Sequence, residues 1–530
     1  MASLYSGFRT ASISTIRLSR PCSTLSAQRS VLRSDKHSRR QYGLAGTRKF
    51  SNSAILQDAK PRSASTEQKD DASIASAETD APLLKKREKE SAKGKYNLYG
   101  DDWEESVDFA IKSFEDLPHR LFGVNQHMII NYELKEALRV MLRQFNAPIV
   151  YCFAYGSGVF PQGDLGRSIS EADFRAVHPK PPDALVKAQK GSPKMIDFIF
   201  GVSHTQHWHS LNIKQHRKHY SGIASLGSGA VSHVQNWGAG VYFNPFIEMN
   251  GMLIKYGVTS IDNLVHDLST WDNLYLAGRL QKPVKILRDH PQVRLANQHN
   301  LIAALRTAML LLPPDFTEGE LYSTIAGLSY LGDPRMALPT ENKSKVDNIV
   351  NNNVVHFRRL YAPLVKTLPN VEFTGPCRLD DEEWVLDPNG DNKLQQDMDP
   401  IKRGNMVRRL PSSFRQRLYF QYQKKFAIPR EEFSIMMKAT RDDDPSSNKR
   451  RQGGEFDRRI AADKPEELQA LVRQVIKQTV NWPSTSQSIK GLLMGGWGRT
   501  YRYLKEKYDK WNQGKKSETK KRAGAENAEK

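Results

Sequence analysis

The chain has 530 residues and a formal net charge of +21, with 38% hydrophobic and 26% charged residues. This length predicts two or three domains, and the composition allows a buried core beside long polar stretches. The positive charge favours acidic partners such as nucleotides, nucleic acid or an anionic membrane surface. Three scattered cysteines (Cys22, Cys152 and Cys377) argue against a disulfide framework or a zinc knuckle. The sequence also lacks any run of about 18 apolar residues, which argues against a membrane-spanning helix.

The first 57 residues have the composition of a mitochondrial presequence. They contain eight Arg, two Lys and a single acidic residue, Asp35. A disordered basic tail is the alternative interpretation. Residues 58–95 are rich in Ser, Ala, Lys and Glu, which predicts a disordered linker. Removal of residues 1–57 subtracts ten positive charges and one negative charge from +21, so the remaining chain carries +12 and stays basic.

Residues 96–262 are predicted to form an α/β domain. The continuous apolar run over residues 148–155 indicates a buried strand, and a second strand is predicted at 195–202. Residues 163–193 lie between these two strands and contain loop-forming Pro residues, so they look like an insertion. Further strands are predicted at 241–243 and 252–256.

The remainder of the chain is predicted to be mostly helical. Residues 263–440 read as a helical domain with an acidic polar loop at 377–405. Residues 441–463 read as a linker and residues 514–530 as a disordered tail. Between them, residues 464–513 are predicted to form amphipathic membrane-docking helices, because they carry two apolar stripes at helical spacing, separated at Pro483.

The second of these stripes interleaves aromatic and cationic side chains, which suits an amphipathic helix lying on anionic lipid. The alternative is docking on the protein's own core, which is how most apolar stripes are used. The first stripe consists of Leu468, Leu471, Val472, Val475, Ile476 and Val480. The predicted membrane contacts in the second are Trp497, Arg499, Tyr501, Arg502, Leu504, Lys505, Tyr508 and Trp511.

The run Tyr155-Gly156-Ser157-Gly158 follows the first predicted strand directly. Two glycines let the backbone approach a phosphate closely, with N–H groups and the serine hydroxyl as donors. A Gly-Ser-Gly turn without a ligand is an equally good interpretation of this run alone. It is neither a dinucleotide-binding fingerprint nor a P-loop, because the third glycine and the Gly-Lys-Ser/Thr element are missing.

Asp197 lies among apolar residues in the second predicted strand. A buried carboxylate is costly unless it holds a metal or a partner, and pairing with an Arg or capping of a turn is the alternative. A strand, a Gly-Ser turn and a strand-borne Asp are the skeleton of the nucleotidyltransferase superfamily, in which carboxylates hold Mg²⁺. Position 199 is Ile where a second acid is usual, and Lys255 stands on the later strand where a third carboxylate is expected. Conceivable second metal ligands are Asp164, Asp173 and Glu248.

Several histidines and cations are further candidates. His204, His207 and His209 invite a zinc interpretation, but their spacing fits no common site, and a surface or phosphate-contacting cluster is favoured. The predicted contacts to substrate phosphate are His209, Lys214, Lys218 and His219. Weaker candidates of the same kind are Tyr242, Asn244, Arg279 and Lys282.

Many separate segments, in order, resemble those of the mitochondrial translocator assembly and maintenance family. The resemblance covers roughly residues 110–365 and, more loosely, the C-terminal helix. The segments are 153–159 (FAYGSGV), 196–200 (IDFIF), 208–210, 219–221, 238–244, 253–258, 273–284 (NLYLAGRLQKPV) and 325–330 (IAGLSY). The missing second Asp looks normal for this family.

The resemblance implies a peripheral CDP-diacylglycerol synthase of the mitochondrial matrix. The implied fold is a nucleotidyltransferase domain, then a winged-helix-like domain and a membrane-docking C-terminal helix. The implied reaction converts CTP and phosphatidate to CDP-diacylglycerol and diphosphate with Mg²⁺, and supplies the cardiolipin pathway. The implied location is the matrix side of the inner membrane, on an anionic lipid surface, with no stable nucleic-acid partner.

These expectations assign roles to the site residues. Tyr155, Gly156, Ser157 and Gly158 are expected to hold the CTP phosphates, and Asp197 is expected to hold Mg²⁺. Lys255 is expected to contact a phosphate; a solvated strand end is its alternative role. The competing functions are a mitochondrial RNA nucleotidyltransferase, which shares the superfamily skeleton, and a non-enzymatic assembly factor for inner-membrane complexes.

Overall fold

The computed structural model describes residues 126, 128, 130–162, 170–189, 193–337, 344–439, 454–491 and 493–494. The predicted presequence (1–57), linker (58–95), tail (514–530) and the membrane contacts from Trp497 to Trp511 lie outside the described residues. Among the helices that are described, none is both long and apolar enough to cross a bilayer.

A five-stranded mixed sheet forms the first part of the described chain. Its strands are β1 (Tyr151–Tyr155), β2 (Ile196–Val202), β3 (Tyr242–Met249), β4 (Met252–Ser260) and β5 (Lys285–Arg288), in the order β3-β4-β2-β1-β5. β2 and β4 run parallel, and the other pairs are antiparallel. The α/β class is therefore confirmed. The predicted domain end at residue 262 is wrong, because β5 lies beyond it and pairs with β1.

The two faces of the sheet pack largely against different cores. Phe198 and Tyr256 are register partners on β2 and β4 and belong to the smaller cluster. Ile199 belongs to the larger cluster, which also contains the helical part of the chain. Because side chains alternate along a strand, Asp197 shares a face with Ile199.

Helices pack on both clusters. The smaller cluster is covered by α1 (Tyr132–Leu142), α2 (Glu171–Val177), α3 (Asp183–Ala188) and α4 (Thr205–Gln215), whereas Val231 and Val234 of α5 (Ser228–Gln235) belong to the larger cluster. The Asn131 side chain caps α1 by accepting from the Glu133 and Leu134 amides. α2 and α3 lie within the predicted insertion, and the Leu253 amide donates to His178 Nδ1 at 3.0 Å, which joins that segment to β4.

The second part is largely helical. It contains α6 (Ile261–Thr270), α7 (Ala277–Leu280), α8 (Pro291–Leu311), α9 (Glu318–Leu328), α10 (Lys345–Asn351), α11 (Val354–Val365), α12 (Glu382–Leu386), α13 (Pro400–Arg408), α14 (Ser412–Lys425), α15 (Arg430–Ala439) and α16 (Glu455–Ala461). A small antiparallel sheet has β6 (Asp315–Thr317), β7 (Val371–Phe373) and β8 (Lys393–Gln396) in the order β6-β8-β7.

Two predicted irregular segments contain regular structure. The predicted polar loop at 377–405 holds α12, β8 and the start of α13, and the predicted linker at 441–463 holds α16. A fully buried ion pair between Arg358 and Glu318, at 2.8 Å, fixes the first of these segments, because Arg358 also donates to the Trp384 carbonyl at 3.1 Å. Buried donors and charges of this kind persist only when they are paired.

The last helix of the described residues, α17, is continuous over residues 465–491, with residues 493 and 494 also helical. The predicted separation at Pro483 is therefore wrong. The first stripe is buried at Leu468, Val472, Val475, Ile476 and Val480 in the larger core cluster. The membrane-docking prediction is consequently wrong for this half of residues 464–513, whose apolar face is already covered by the protein.

The C-terminal end of α17 is fastened to the sheet domain. Lys490 is fully buried, and its Nζ donates to the carbonyls of Gln235, Trp237 and Val241 at 3.0, 2.6 and 3.0 Å. The Phe243 amide donates to Met494 Sδ at 3.1 Å. α17 therefore packs on the helical part and reaches β3 at its last described turn.

Replacing Lys490 by Met is expected to lower the free energy of unfolding by about 3 kcal/mol, because two buried carbonyls and one partly buried carbonyl lose their donor. Chemical denaturation of the full chain measures this loss. Lys477→Met is the matched control, since Lys477 is exposed on the same helix. Equal stability of the two variants would contradict the anchoring role of Lys490.

Candidate active site

The turn after β1 needs its glycines. Gly156 has φ +79°, and the Val159 and Phe160 amides donate to its carbonyl at 3.1 and 2.9 Å. A Cβ on Gly158 would lie 2.6 Å from the Met195 carbonyl oxygen, so the turn is pressed against the start of β2. A Cβ on Gly156 would lie 3.3 Å from Asp197 Oδ2. The glycine turn and Asp197 are thus brought together, as their sequence pattern suggests.

Asp197 lies between two register partners on neighbouring strands. Tyr155 faces it from β1 and Lys255 faces it from β4. Lys255 Nζ lies 3.1 Å from Asp197 Oδ1, and the two side chains are only 21% and 24% exposed. Asp197 Oδ1 nevertheless accepts no hydrogen bond from the described residues. The ammonium therefore balances the charge of the carboxylate without saturating its lone pairs.

Aromatic rings flank these charged groups on both sides. Lys255 Nζ lies 4.8 Å from the centroid of the Phe243 ring. On the other side, the Arg279 guanidinium lies 5.5 Å from the Tyr155 ring centroid and 3.9 Å from that of Tyr275. Burial raises the pKa of the Tyr155 hydroxyl, so this side chain stays neutral.

Lys282 extends the positive region beyond Arg279. Its Nζ donates to the Gly278 carbonyl and to Ser329 Oγ, the latter at 2.8 Å. Burial and then the charges of Arg279 and Lys345 lower the pKa of Lys282 to about 7. The sequence ranked Arg279 and Lys282 as weak candidates and missed Ser329, although the family-like segments 273–284 and 325–330 contain all three.

His209 and His219 lie on the opposite face of the sheet from Asp197. His209 is fully buried; its Nε2 donates to Gln235 Oε1 at 2.7 Å, and its Nδ1 lies 2.9 Å from the Tyr220 hydroxyl. His219 Nδ1 lies 2.8 Å from the hydroxyl of Tyr256, which shares a face with Phe198 rather than Asp197. As contacts to phosphates held at Asp197, these two predictions are corrected, because both rings are engaged in the core. His209 contacts Tyr220 of the larger cluster, and His219 contacts Tyr256 of the smaller one.

The other candidates on this side share that placement. Lys214 and Lys218 are exposed on α4 and on the 3₁₀ turn Arg217–His219, the elements that carry these histidines. Asn244 is the register partner of Tyr256 and is fully buried. The helix, the 3₁₀ turn and the strand that carry these three residues do not bring them to the glycine turn.

His204 and His207 are exposed near the start of α4. They line an open cavity of about 640 Å³, together with Ser203, Ser228 and Ser260, near the ends of β2 and β4. Asp197 is near the opposite end of β2. In the part of the chain that is described, no group of three or more His, Cys, Asp and Glu residues is arranged to hold a metal ion.

Among the predicted metal ligands that the structure describes, none besides Asp197 lies at the glycine turn, so a magnesium ion there would take further ligands from the bound substrate. Glu248 is exposed on β3, with β4 between it and β2, and Asp164 and the Asp173 side chain lie outside the described residues. Mg²⁺ is commonly held by one or two carboxylates together with substrate phosphates. The buried Asp197 Oδ1 without a hydrogen bond, beside the glycine turn, fits a site of that kind.

Comparison with known proteins gives a consistent assignment. The family model described as mitochondrial phosphatidate cytidylyltransferase matches residues 138–510. Relatives with the same name include one from Schizosaccharomyces pombe, 42% identical over 250 residues, which cover 47% of this chain and 58% of that protein. One from Xenopus laevis is 36% identical over 372 residues, covering 70% of this chain and 92% of that protein. One from Mus musculus is 44% identical over 239 residues, covering 44% of this chain and 64% of that protein.

The buried His209 predicts an acid-sensitive fold. Burial lowers its pKa from 6.5 to about 4, so the unfolded chain binds this proton first as the pH falls. The contribution of the neutral His209 side chain to stability is therefore fully present above pH 6.5. It is lost as the pH falls from 6.5 to 4, and the loss amounts to about 2 kcal/mol at pH 5. We expect His209→Gln to lose less unfolding free energy than the unmodified protein between pH 7.5 and 5, measured by urea denaturation. Parallel losses in the two proteins would contradict the buried neutral imidazole.

Proposed function

Because the chain belongs to the mitochondrial phosphatidate cytidylyltransferase family, we propose that it transfers the cytidylyl group of CTP to phosphatidate, giving CDP-diacylglycerol and diphosphate. The observation that carries this proposal is the glycine turn pressed against Asp197, with Lys255 paired to that carboxylate. The turn holds the nucleotide phosphates through backbone N–H groups and the Ser157 hydroxyl. Tyr155, at the end of β1, sets the position of the turn.

Asp197, together with the nucleotide phosphates, would hold Mg²⁺. When bound, this ion neutralises phosphate charge and stabilises the diphosphate leaving group. The protein itself orients CTP with the turn, and it excludes water from the inner edge of the site with Tyr155 and Phe243. The Lys255 ammonium is paired with Asp197, and an incoming anionic substrate can replace Asp197 as its partner.

The chemistry of the acceptor explains why a lysine suits this position. A hydroxyl acceptor needs a base to remove its proton, whereas a phosphate monoester has a second pKa near 6 and is mostly a dianion at neutral pH. A carboxylate would repel such an acceptor, and the Lys255 ammonium attracts it. A phosphatidate oxygen then forms a bond to the α-phosphorus as the bond from that phosphorus to the β-phosphate bridging oxygen breaks. Lys255 therefore favours a lipid phosphate over an RNA hydroxyl as the acceptor.

The architecture supports a wider proposal. The sheet domain is a nucleotidyltransferase fold, and the helical part with its small β6-β8-β7 sheet is a winged-helix-like domain. The enzyme acts peripherally at the matrix side of the mitochondrial inner membrane and supplies cardiolipin synthesis. Contact with anionic lipid is made by the aromatic and cationic residues beyond residue 494.

The reaction is tested with purified protein, labelled CTP, Mg²⁺ and phosphatidate vesicles. Asp197→Asn and Lys255→Met are each expected to lower lipid labelling by roughly 100-fold or more, since each removes a charge at the reacting phosphates. Lys214→Met is the matched control, because that exposed lysine lies on the other face of the sheet. Lipid labelling that survives Asp197→Asn would remove Asp197 from the mechanism, and labelled RNA without labelled lipid would favour the competing enzyme.

The membrane role is tested by two truncations. Ending the chain after residue 494 keeps the buried part of α17 and should reduce binding to anionic vesicles at least tenfold, while ending it after residue 513 should not. Flotation of vesicles measures the difference, and thermal unfolding checks that both truncated proteins fold. We expect activity on a dispersed short-chain phosphatidate to survive both truncations. Unchanged vesicle binding after the first truncation would assign membrane contact elsewhere.

A further inference from the structure

We propose that Arg279 and Lys282 form a subsite for the diphosphate end of CTP, the part that leaves in the reaction. This inference rests on the proposed cytidylyltransfer. It assigns the diphosphate to two cations that lie beyond the glycine turn and Asp197 and that have no role in the proposed function. The subsite is built on α7 and on the residues after α9, and it adjoins the glycine turn through Tyr155.

Arg279 is held in place by aromatic rings. Its guanidinium lies against the rings of Tyr275 and Tyr155, at 3.9 and 5.5 Å from their centroids, and donates to the Tyr275 carbonyl. Arg279 Nε is buried and has no hydrogen-bond partner among the described residues. Stacking fixes the plane of the guanidinium and leaves part of its donor edge for an anion, which suits phosphate recognition.

Lys282 belongs to the same positive group. Its Nζ lies 5.1 Å from the Tyr330 ring centroid, and Lys345 Nζ lies 5.1 Å from that same ring. In the described part of the chain, neither Arg279 nor Lys282 forms an ion pair with a carboxylate. Partly buried cations that repel one another are costly unless an anion neutralises them. The lowered pKa of Lys282 has the same origin, and a bound phosphate would raise it.

The order of the strands indicates which phosphate Arg279 and Lys282 bind. Asp197 on β2 lies between Lys255 on β4 and Tyr155 on β1. In an in-line displacement, the entering and leaving oxygens lie on opposite sides of the phosphorus. The turn that holds the nucleotide follows Tyr155, so the diphosphate extends towards Arg279 and Lys282. The lipid phosphate then enters on the Lys255 side, where Met494 of α17 contacts β3 at Phe243.

The experiment compares binding of CTP and CMP to the full chain by isothermal titration calorimetry in the presence of Mg²⁺. We expect Arg279→Met and Lys282→Met each to weaken CTP binding by roughly 10- to 100-fold and to leave CMP binding unchanged, because CMP lacks the diphosphate. Inhibition by inorganic diphosphate should weaken in parallel, and the KM for phosphatidate should stay unchanged. Lys282→Arg keeps the charge and should retain most of the CTP affinity, and Lys214→Met is the surface control.

The possible outcomes separate the two proposals. An unmodified protein that does not bind CTP contradicts the cytidylyltransferase proposal and removes the basis of the subsite. If CTP binds but the CTP-to-CMP ratio is unchanged in both methionine variants, the subsite alone is wrong. A higher KM for phosphatidate with unchanged CTP binding assigns the two cations to the lipid and also overturns the inference.

A second measurement uses the unmodified protein, so it does not depend on the folding of a variant. Acetic anhydride acetylates unprotonated lysine amines, and mass spectrometry of the peptide that contains Lys282 reports how far this residue is labelled. Inorganic diphosphate and CTP are expected to protect Lys282 at least tenfold, and CMP is expected to give no protection. Equal labelling with and without diphosphate would contradict the subsite.

Discussion

The candidate site depends on strand register. Tyr155, Asp197 and Lys255 are partners on three adjacent strands, so a single register sets the glycine turn, the carboxylate and the ammonium side by side. A slip of one residue would turn Asp197 into the core formed around Phe198 and away from Lys255. The Asp197–Lys255 pair also lowers the cost of a largely buried carboxylate, which makes the site compatible with a stable sheet.

The same pair distinguishes this site chemically from one that acts on hydroxyl acceptors. A carboxylate in place of Lys255 would help to remove a proton, but it would repel a phosphate dianion. Separate cations lie on either side of Asp197, namely Lys255 towards β4 and Arg279 beyond Tyr155, and in the proposed reaction each would meet one of the two anionic substrates. Opposed cations suit a displacement in which charge enters on one side of the phosphorus and leaves on the other.

The strands of the site could be read from the sequence because each leaves a strong local pattern. The apolar run before Tyr155 and the apolar residues on both sides of Asp197 predict β1 and β2 correctly. β5 was missed because it has only four residues and follows a helical segment, so its assignment depends on pairing with β1. His209 was misplaced for a related reason: a family-like motif marks a residue as constrained, but only the fold shows that the constraint comes from Gln235 and Tyr220 in the core.

α17 shows why an apolar stripe alone does not identify a membrane helix. Its first stripe has the spacing of an interfacial helix and yet is buried, because the helical part of the protein supplies the apolar surface that a bilayer would otherwise supply. Lys490 and Met494 then tie the end of the described helix to the turns around β3 and to β3 itself. The described part of α17 therefore ends next to the strand that neighbours β4, and β4 carries Lys255. In the proposed function, a lipid phosphate presented from this side would meet the ammonium before it meets the nucleotide.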